Sequence, residues 1–157
     1  MPGAKRVAVF ATESTVRGGA YQQALLAHNA ELAVRARPCQ LLVALAEEGW
    51  LTGDVPNAAL KGYLQGWLAW RPDVLLLGCT HFPVFREQLQ LLAGESVTIV
   101  DSAQTTAAQV AKALAGLPAA AEPGVRTLLA TDDVARFRRV GQHFLGEALE
   151  DVELVDI

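Results

Sequence analysis

The stretch Asp73-Val74-Leu75-Leu76-Leu77-Gly78-Cys79-Thr80-His81-Phe82-Pro83 decides how this chain is read. An apolar run stops at Gly78, and a Cys, a Thr and a His follow before Pro83. Continuous apolar residues bounded by turn signals are what a strand buried on both faces requires. Pro83 then opens a predicted helix over Val84–Leu92, because a proline is tolerated in the first helical turn. In an open α/β sheet, ligands lie beyond the carboxyl ends of the strands. The thiol of Cys79 therefore stands where chemistry is usually housed, and the positive end of a helix behind it favours a thiolate.

Outward from this unit the same alternation repeats. Towards the N-terminus, Arg6–Thr12 reads as a strand, and Thr12-Glu13-Ser14-Thr15 follows as a polar loop. That loop has two readings, an anion site built from hydroxyls and backbone N–H groups, or a helix cap. Gly18-Gly19 leads into a predicted helix over Ala20–Asn29, and Val34–Cys39 reads as a second strand. Leu41–Trp50 is apolar until Glu47-Glu48-Gly49. Asn57–Trp70 reads as one helix with Leu60, Tyr63, Leu64, Trp67 and Leu68 on a stripe, stopped by Arg71-Pro72. Towards the C-terminus come a strand at Val97–Val100, then Asp101-Ser102, and an Ala-rich helix at Gln104–Leu114. Leu117–Gly124 is linker-like; Arg126–Ala130 reads as a strand, Asp132–Leu145 as a helix, and Val152–Ile157 as a short final strand. Strands alternating with helices predict an α/β fold with a mostly parallel sheet.

Bulk composition narrows the function. The chain has 157 residues, of which 52% are hydrophobic and 19% charged, which suits a packed core of one domain or slightly more. A net charge of -4 gives no basic stripe for nucleic acid. The two cysteines, Cys39 and Cys79, form no CxxC, so neither a disulfide framework nor a zinc ribbon is implied, and free thiols fit a reducing cytoplasm. No apolar run reaches the roughly 18 residues that span a bilayer, and Met1-Pro2-Gly3-Ala4-Lys5-Arg6 lacks a signal-peptide core. A soluble cytoplasmic protein is expected.

Three groups are candidates for chemistry: Cys79, His81 and the pair Glu47-Glu48. Each also has a plain structural reading. A cysteine in an apolar chain is often a small buried hydrophobe, a histidine caps a helix or bonds a carbonyl, and two glutamates form a solvated helix end. Cys39, beside Pro38, has no nearby acid or histidine and reads as structural. Cys79-Thr80-His81 supplies at most two zinc ligands, so no metal site is expected. Neither a GxSxG elbow nor a glycine-rich phosphate loop is present. What remains is a thiol able to act as nucleophile or base.

Leu77-Gly78-Cys79-Thr80-His81-Phe82-Pro83 resembles the second cysteine motif of bacterial glutamate racemase, within the aspartate/glutamate racemase superfamily. The segments Ala11–Tyr21 (ATESTVRGGAY), Pro38–Gly49 (PCQLLVALAEEG), Val97–Ser102 (VTIVDS) and Phe137–Gly146 (FRRVGQHFLG) are similar to further family segments, in register along nearly the whole chain. The resemblance implies an α/β fold: a parallel-sheet, racemase-like lobe with helices on both faces, plus a trailing βα segment from the other lobe. It implies cofactor-independent interconversion of L- and D-glutamate, supplying D-glutamate for peptidoglycan. Cys79 would be the acid/base on one face, with His81 and Glu47 tuning it and Thr80 and His81 holding substrate.

The same resemblance implies two domains: residues 1–101 as the second lobe, and residues 102–157 as a trailing helix, linker, strand and helix that complete the first lobe. The first lobe's own cysteine motif has no counterpart here. Apolar surface on residues 125–157 is therefore expected to be exposed, and to find a second copy or a partner chain. Two alternatives stand beside the racemase: a non-catalytic binding or interaction module, and an aspartate- or hydantoin-type racemase. The GCTHFP and FRRVGQHFLG segments favour glutamate.

Overall fold

The computed structural model describes residues 5–118 and 124–156. Its chain divides into two compact units, Met1–Ala108 and Gln109–Ile157. In the first unit, β1 (Arg6–Ala11) is followed by helices α1 (Glu13–Gly18) and α2 (Ala20–His28), and then by β2 (Ala33–Pro38). Helices α3 (Gln40–Glu47), α4 (Asp54–Leu64) and α5 (Trp67–Trp70) lead to β3 (Val74–Gly78). A 3₁₀ turn (Phe82–Phe85) and α6 (Arg86–Ala93) lead to β4 (Thr98–Asp101), from which α7 (Ser102–Leu114) departs. The division between units falls inside α7.

The strands form one parallel sheet in the order β2-β1-β3-β4. Side chains alternate across it, as the pleat requires. On one face Ala8, Phe10, Leu75, Leu77 and Ile99 pack with Leu42, Leu45, Leu60, Leu64, Phe85 and Leu89 from the helices that follow β2 and β3. On the other, Val7, Val9, Ala11 and Val74 pack with Val16, Tyr21 and Leu25 of α1 and α2. Helices thus cover both faces, as expected of an α/β fold whose central strands, β1 and β3, are mostly apolar. Phe10, Phe82 and Phe85 are fully buried, each contributing on the order of 2–3 kcal/mol of apolar burial. At the amino edge of the sheet, the Asp73 carboxylate accepts the backbone N–H groups of Lys5 and Arg6, both at 2.8 Å.

Two helices differ from the sequence reading. The helix expected over Asn57–Trp70 begins three residues earlier, at Asp54, and breaks after Leu64. There Gln65 is extended and Gly66 adopts a left-handed φ of 79°, which separates α4 from the single turn of α5. The helix expected over Val84–Leu92 is a 3₁₀ turn up to Phe85, and α-helical only from Arg86. The first α-helical residue, Arg86, therefore stands seven positions after Cys79, with the 3₁₀ turn between them.

The second unit holds β5 (Leu128–Ala130), α8 (Val134–Leu145) and β6 (Val152–Leu154), with β5 and β6 paired in parallel. Asp133 caps α8 by accepting the Arg136 backbone N–H at 2.9 Å. Ala130, Leu149 and Val152 form its small core. Val125, Leu129, Phe137, Phe144, Leu145 and Leu154 are exposed, as anticipated for this segment. The linker read at Leu117–Gly124 lies mostly outside the described residues, as does Ile157.

Candidate active site

The order β2-β1-β3-β4 determines where a ligand belongs. From β1 the chain turns towards β2, and from β3 it turns the other way to β4, so the crossovers diverge between β1 and β3. That divergence opens a crevice at the carboxyl ends of the two strands. Ala11 and Gly78 are register partners there, so the loops that begin at Thr12 and Cys79 flank one another. Gly78 is required by packing: a Cβ at this position would lie 2.6 Å from Cε2 of Tyr21, whose ring covers the strand end.

Cys79 leaves the sheet partly exposed, and its backbone carbonyl accepts the N–H of Phe82 at 3.2 Å, which starts the 3₁₀ turn. Buried Phe82 and Phe85 hold that turn down. His81, immediately before Phe82 in sequence, presents Nδ1 to the Cys79 Sγ at 3.8 Å. Its other nitrogen, Nε2, lies 3.3 Å from Oε1 of Glu47. Glu47 is the last residue of α3, and both side chains are about a quarter exposed. A carboxylate accepts only, so the nitrogen facing Glu47 is the one that donates, and Nδ1 is the nitrogen that faces the thiol. The result is a relay, Cys79 to His81 to Glu47, running from the carboxyl end of β3 to the carboxyl end of α3.

The structure thus brings together three of the residues singled out in the sequence. Glu47 is held against His81, and the solvated-helix-end reading fits only its exposed neighbour Glu48. Thr80 is exposed beside Cys79. In the Thr12–Thr15 loop the hydroxyls lie 2.8 Å apart and Thr12 Oγ1 accepts the Thr15 N–H at 3.4 Å, so of the two readings helix capping is the one seen. Cys39 is fully buried, and its thiol donates to the Arg37 carbonyl at 3.6 Å. Burial pushes that thiol from its ordinary 9.0 up to about 12, against the opposing pull of the Arg37 guanidinium. Among the described residues there is no group of three His, Cys, Asp or Glu placed to hold a metal ion.

One pair went unread in the sequence. Arg86, at the start of α6, binds the carboxylate of buried Asp101 and donates to the Ile99 carbonyl at 2.9 Å. The other Asp101 oxygen accepts the Gln104 N–H at 2.9 Å, capping α7. A strand ending in Asp before a helix is a legible capping signal; nothing in the sequence marks Arg86 as its partner.

This fold has counterparts among known proteins. Residues 1–110 match the Asp/Glu/hydantoin racemase family model, and the chain belongs to that family. Its curated relatives are glutamate racemases: that of Geobacter metallireducens is 41% identical over 155 residues, and that of Neisseria meningitidis serogroup A is 38% identical over 156. Each alignment covers 97% of this chain and 57% of the relative, so the chain spans little more than half their length. Among solved structures, glutamate racemase from Francisella tularensis in complex with D-glutamate superposes with a TM-score of 0.83 at 27% identity, over 97% of this chain and 58% of that one. The Thermus thermophilus enzyme, in complex with β-chloro-D-alanine, gives 0.78 at 34% identity, over 99% and 58%. Among the described residues no helix is long and apolar enough to cross a membrane.

Proposed function

We propose that this chain supplies one half of a glutamate racemase site. Cys79 is the acid/base on one face of the substrate, removing the Cα proton of L-glutamate and returning a proton when L-glutamate forms. His81 accepts the thiol proton at Nδ1, Glu47 fixes the imidazole tautomer, and Thr80 and His81 hold substrate polar groups. The observation that carries this reading is the relay itself, with contacts of 3.8 and 3.3 Å at the crevice between β1 and β3. The Cα proton of an amino acid is weakly acidic, so its removal requires a positioned base. Relatives that bind glutamate support the choice of substrate.

Inversion needs a second acid/base on the opposite face. Cys39 is unsuited to it, being fully buried with its thiol committed to the Arg37 carbonyl. The opposing group is therefore assigned to a protein surface outside these 157 residues. The exposed apolar residues of the second unit, Leu129, Phe137, Phe144 and Leu154 among them, support docking there of a partner chain or a second copy. In the cell the reading is cytoplasmic supply of D-glutamate to peptidoglycan.

The test is Cα–H exchange of L- and D-glutamate in D₂O, followed by NMR with circular dichroism alongside. Cys79 alone should wash deuterium into L-glutamate without inverting it, and Cys79→Ala should abolish the exchange. No exchange by the unmodified chain, at substrate concentrations that saturate racemases, overturns the half-site.

A further inference from the structure

We infer that the Cys79–His81–Glu47 relay also makes this chain an acyl-accepting thiol, reactive towards small activated esters and thioesters. The inference uses the same side chains as the racemase reading but does not depend on it, because attack at a carbonyl needs only one thiol.

The geometry satisfies what a thiol nucleophile requires, a base within reach and a third group that orients the base. Glu47 lies against Nε2, so Nδ1 is the nitrogen turned to the thiol, 3.8 Å from the sulfur. The spacing explains which nitrogen serves. With only Thr80 between them, the imidazole reaches back to the thiol through its nearer nitrogen and leaves the farther one for α3. Cys79 is partly exposed at the open end of the sheet, so an ester can reach it; Cys39, fully buried, serves as an internal comparison.

Each step balances without an oxidant or a metal. The Cys79 proton passes to His81 Nδ1 as sulfur bonds the acyl carbon. The bond from that carbon to the leaving oxygen or sulfur breaks, and the leaving group takes the proton from His81 or departs as an anion while His81 loses its proton to water. Water then adds to the Cys79 thioester and gives a proton to His81. The C–S bond breaks, a carboxylic acid is released, and His81 returns its proton to sulfur.

The probe is 4-nitrophenyl acetate, with release of nitrophenolate followed by stopped flow and the acetyl group located by peptide mass mapping. We expect a burst of one equivalent, acetyl on Cys79, and a second-order rate at least about tenfold above that of N-acetylcysteine at the same pH. His81→Ala should lower that rate by about 10²-fold, the usual contribution of a positioned base. Glu47→Gln, which acts through His81, should lower it by roughly tenfold and alter the shape of its pH profile, whereas a purely structural role would leave the profile unchanged. Cys39→Ala should leave the burst intact. Circular dichroism checks that each variant is folded. A rate equal to that of N-acetylcysteine, acetyl found elsewhere, or a folded His81→Ala variant with an unchanged burst would each overturn the inference. Glutamate exchange, measured on the same protein, tests the racemase reading separately.

Discussion

Burial of Cys39 links the stability of the first unit to alkaline pH. Its thiol ionises at the ordinary 9.0 when unfolded and at about 12 when folded, because the core desolvates the thiolate more than Arg37 stabilises it. The folded state therefore holds the proton over a window in which the unfolded chain has lost it. Stability is full below the unfolded value, and falls as pH rises towards the folded one. At about 1.4 kcal/mol per unit, this one group removes about 4 kcal/mol between pH 9 and 12. Cys39→Ala removes the titration, at a cost on the order of 1 kcal/mol at neutral pH for the lost sulfur contacts. By pH 10 the wild-type thiol has forfeited about the same amount, so the two stability curves should cross near there. Urea unfolding under reducing conditions measures this. All three tryptophans lie in the first unit, and Trp67 packs edge-on against Phe10 at 5.7 Å, so their fluorescence reports this core. Tyrosines and lysines also titrate at high pH, but they are common to both proteins and cancel in the difference. Midpoints that fall in parallel for both proteins would refute the reasoning.

Gly78→Ala places a methyl group 2.6 Å from the Tyr21 ring and should destabilise by about 1–3 kcal/mol; adding Tyr21→Ala should remove much of that strain, which a double-mutant cycle in urea would detect. Hydrogen bonds from the Lys5 and Arg6 amides hold the Asp73 carboxyl below its usual 3.8, so its contribution is present above that value and is lost as pH falls through the lower folded one. Asp73→Asn should flatten this acid limb in thermal melts, while identical limbs would exclude the mechanism. Arg86→Met leaves the Asp101 carboxylate buried without its guanidinium and should cost about 3–5 kcal/mol, of which Asp101→Asn in the same chain should recover a part; chemical denaturation of both variants measures the recovery.

Much of the fold could be read from the sequence because β1 and β3 are short, unbroken apolar runs, whereas β2, with Arg35 and Arg37, is only weakly marked. Val74–Gly78 has the same length and burial on paper as in space, since a strand covered on both faces admits few polar residues. The helices were less legible. Gly66 stands in an otherwise continuous stripe, and its left-handed backbone separates Tyr63 of α4 from Trp67 of α5, both of which meet Phe10, a break that periodicity does not encode. Likewise, Pro83 announces a helix without stating that its first turn is 3₁₀. At the site, Cys79 and His81 lie two positions apart in sequence and could be paired by inspection. Glu47 lies 34 positions before His81, so its place in the relay depends on α3 ending over the β3 loop. Residue type makes the pair Glu47-Glu48 a candidate, and the family resemblance singles out Glu47. Arg86 and Asp101 show the same limit, because a long-range ion pair leaves no local pattern.

The contrast between the two sulfurs has an oxidative consequence. Peroxide attacks exposed, base-assisted thiols and spares those sealed in a core. In this chain it meets Cys79 beyond the carboxyl end of β3, while Cys39 stays enclosed until the first unit opens. Mild oxidant should therefore produce a homogeneous lesion, a sulfenic acid at the relay, reversible by a small thiol. A disulfide between copies would follow through the same atom. The second sulfur then serves as a clock for unfolding, because its appearance among the oxidised products times the loss of the core and not the chemistry at the surface.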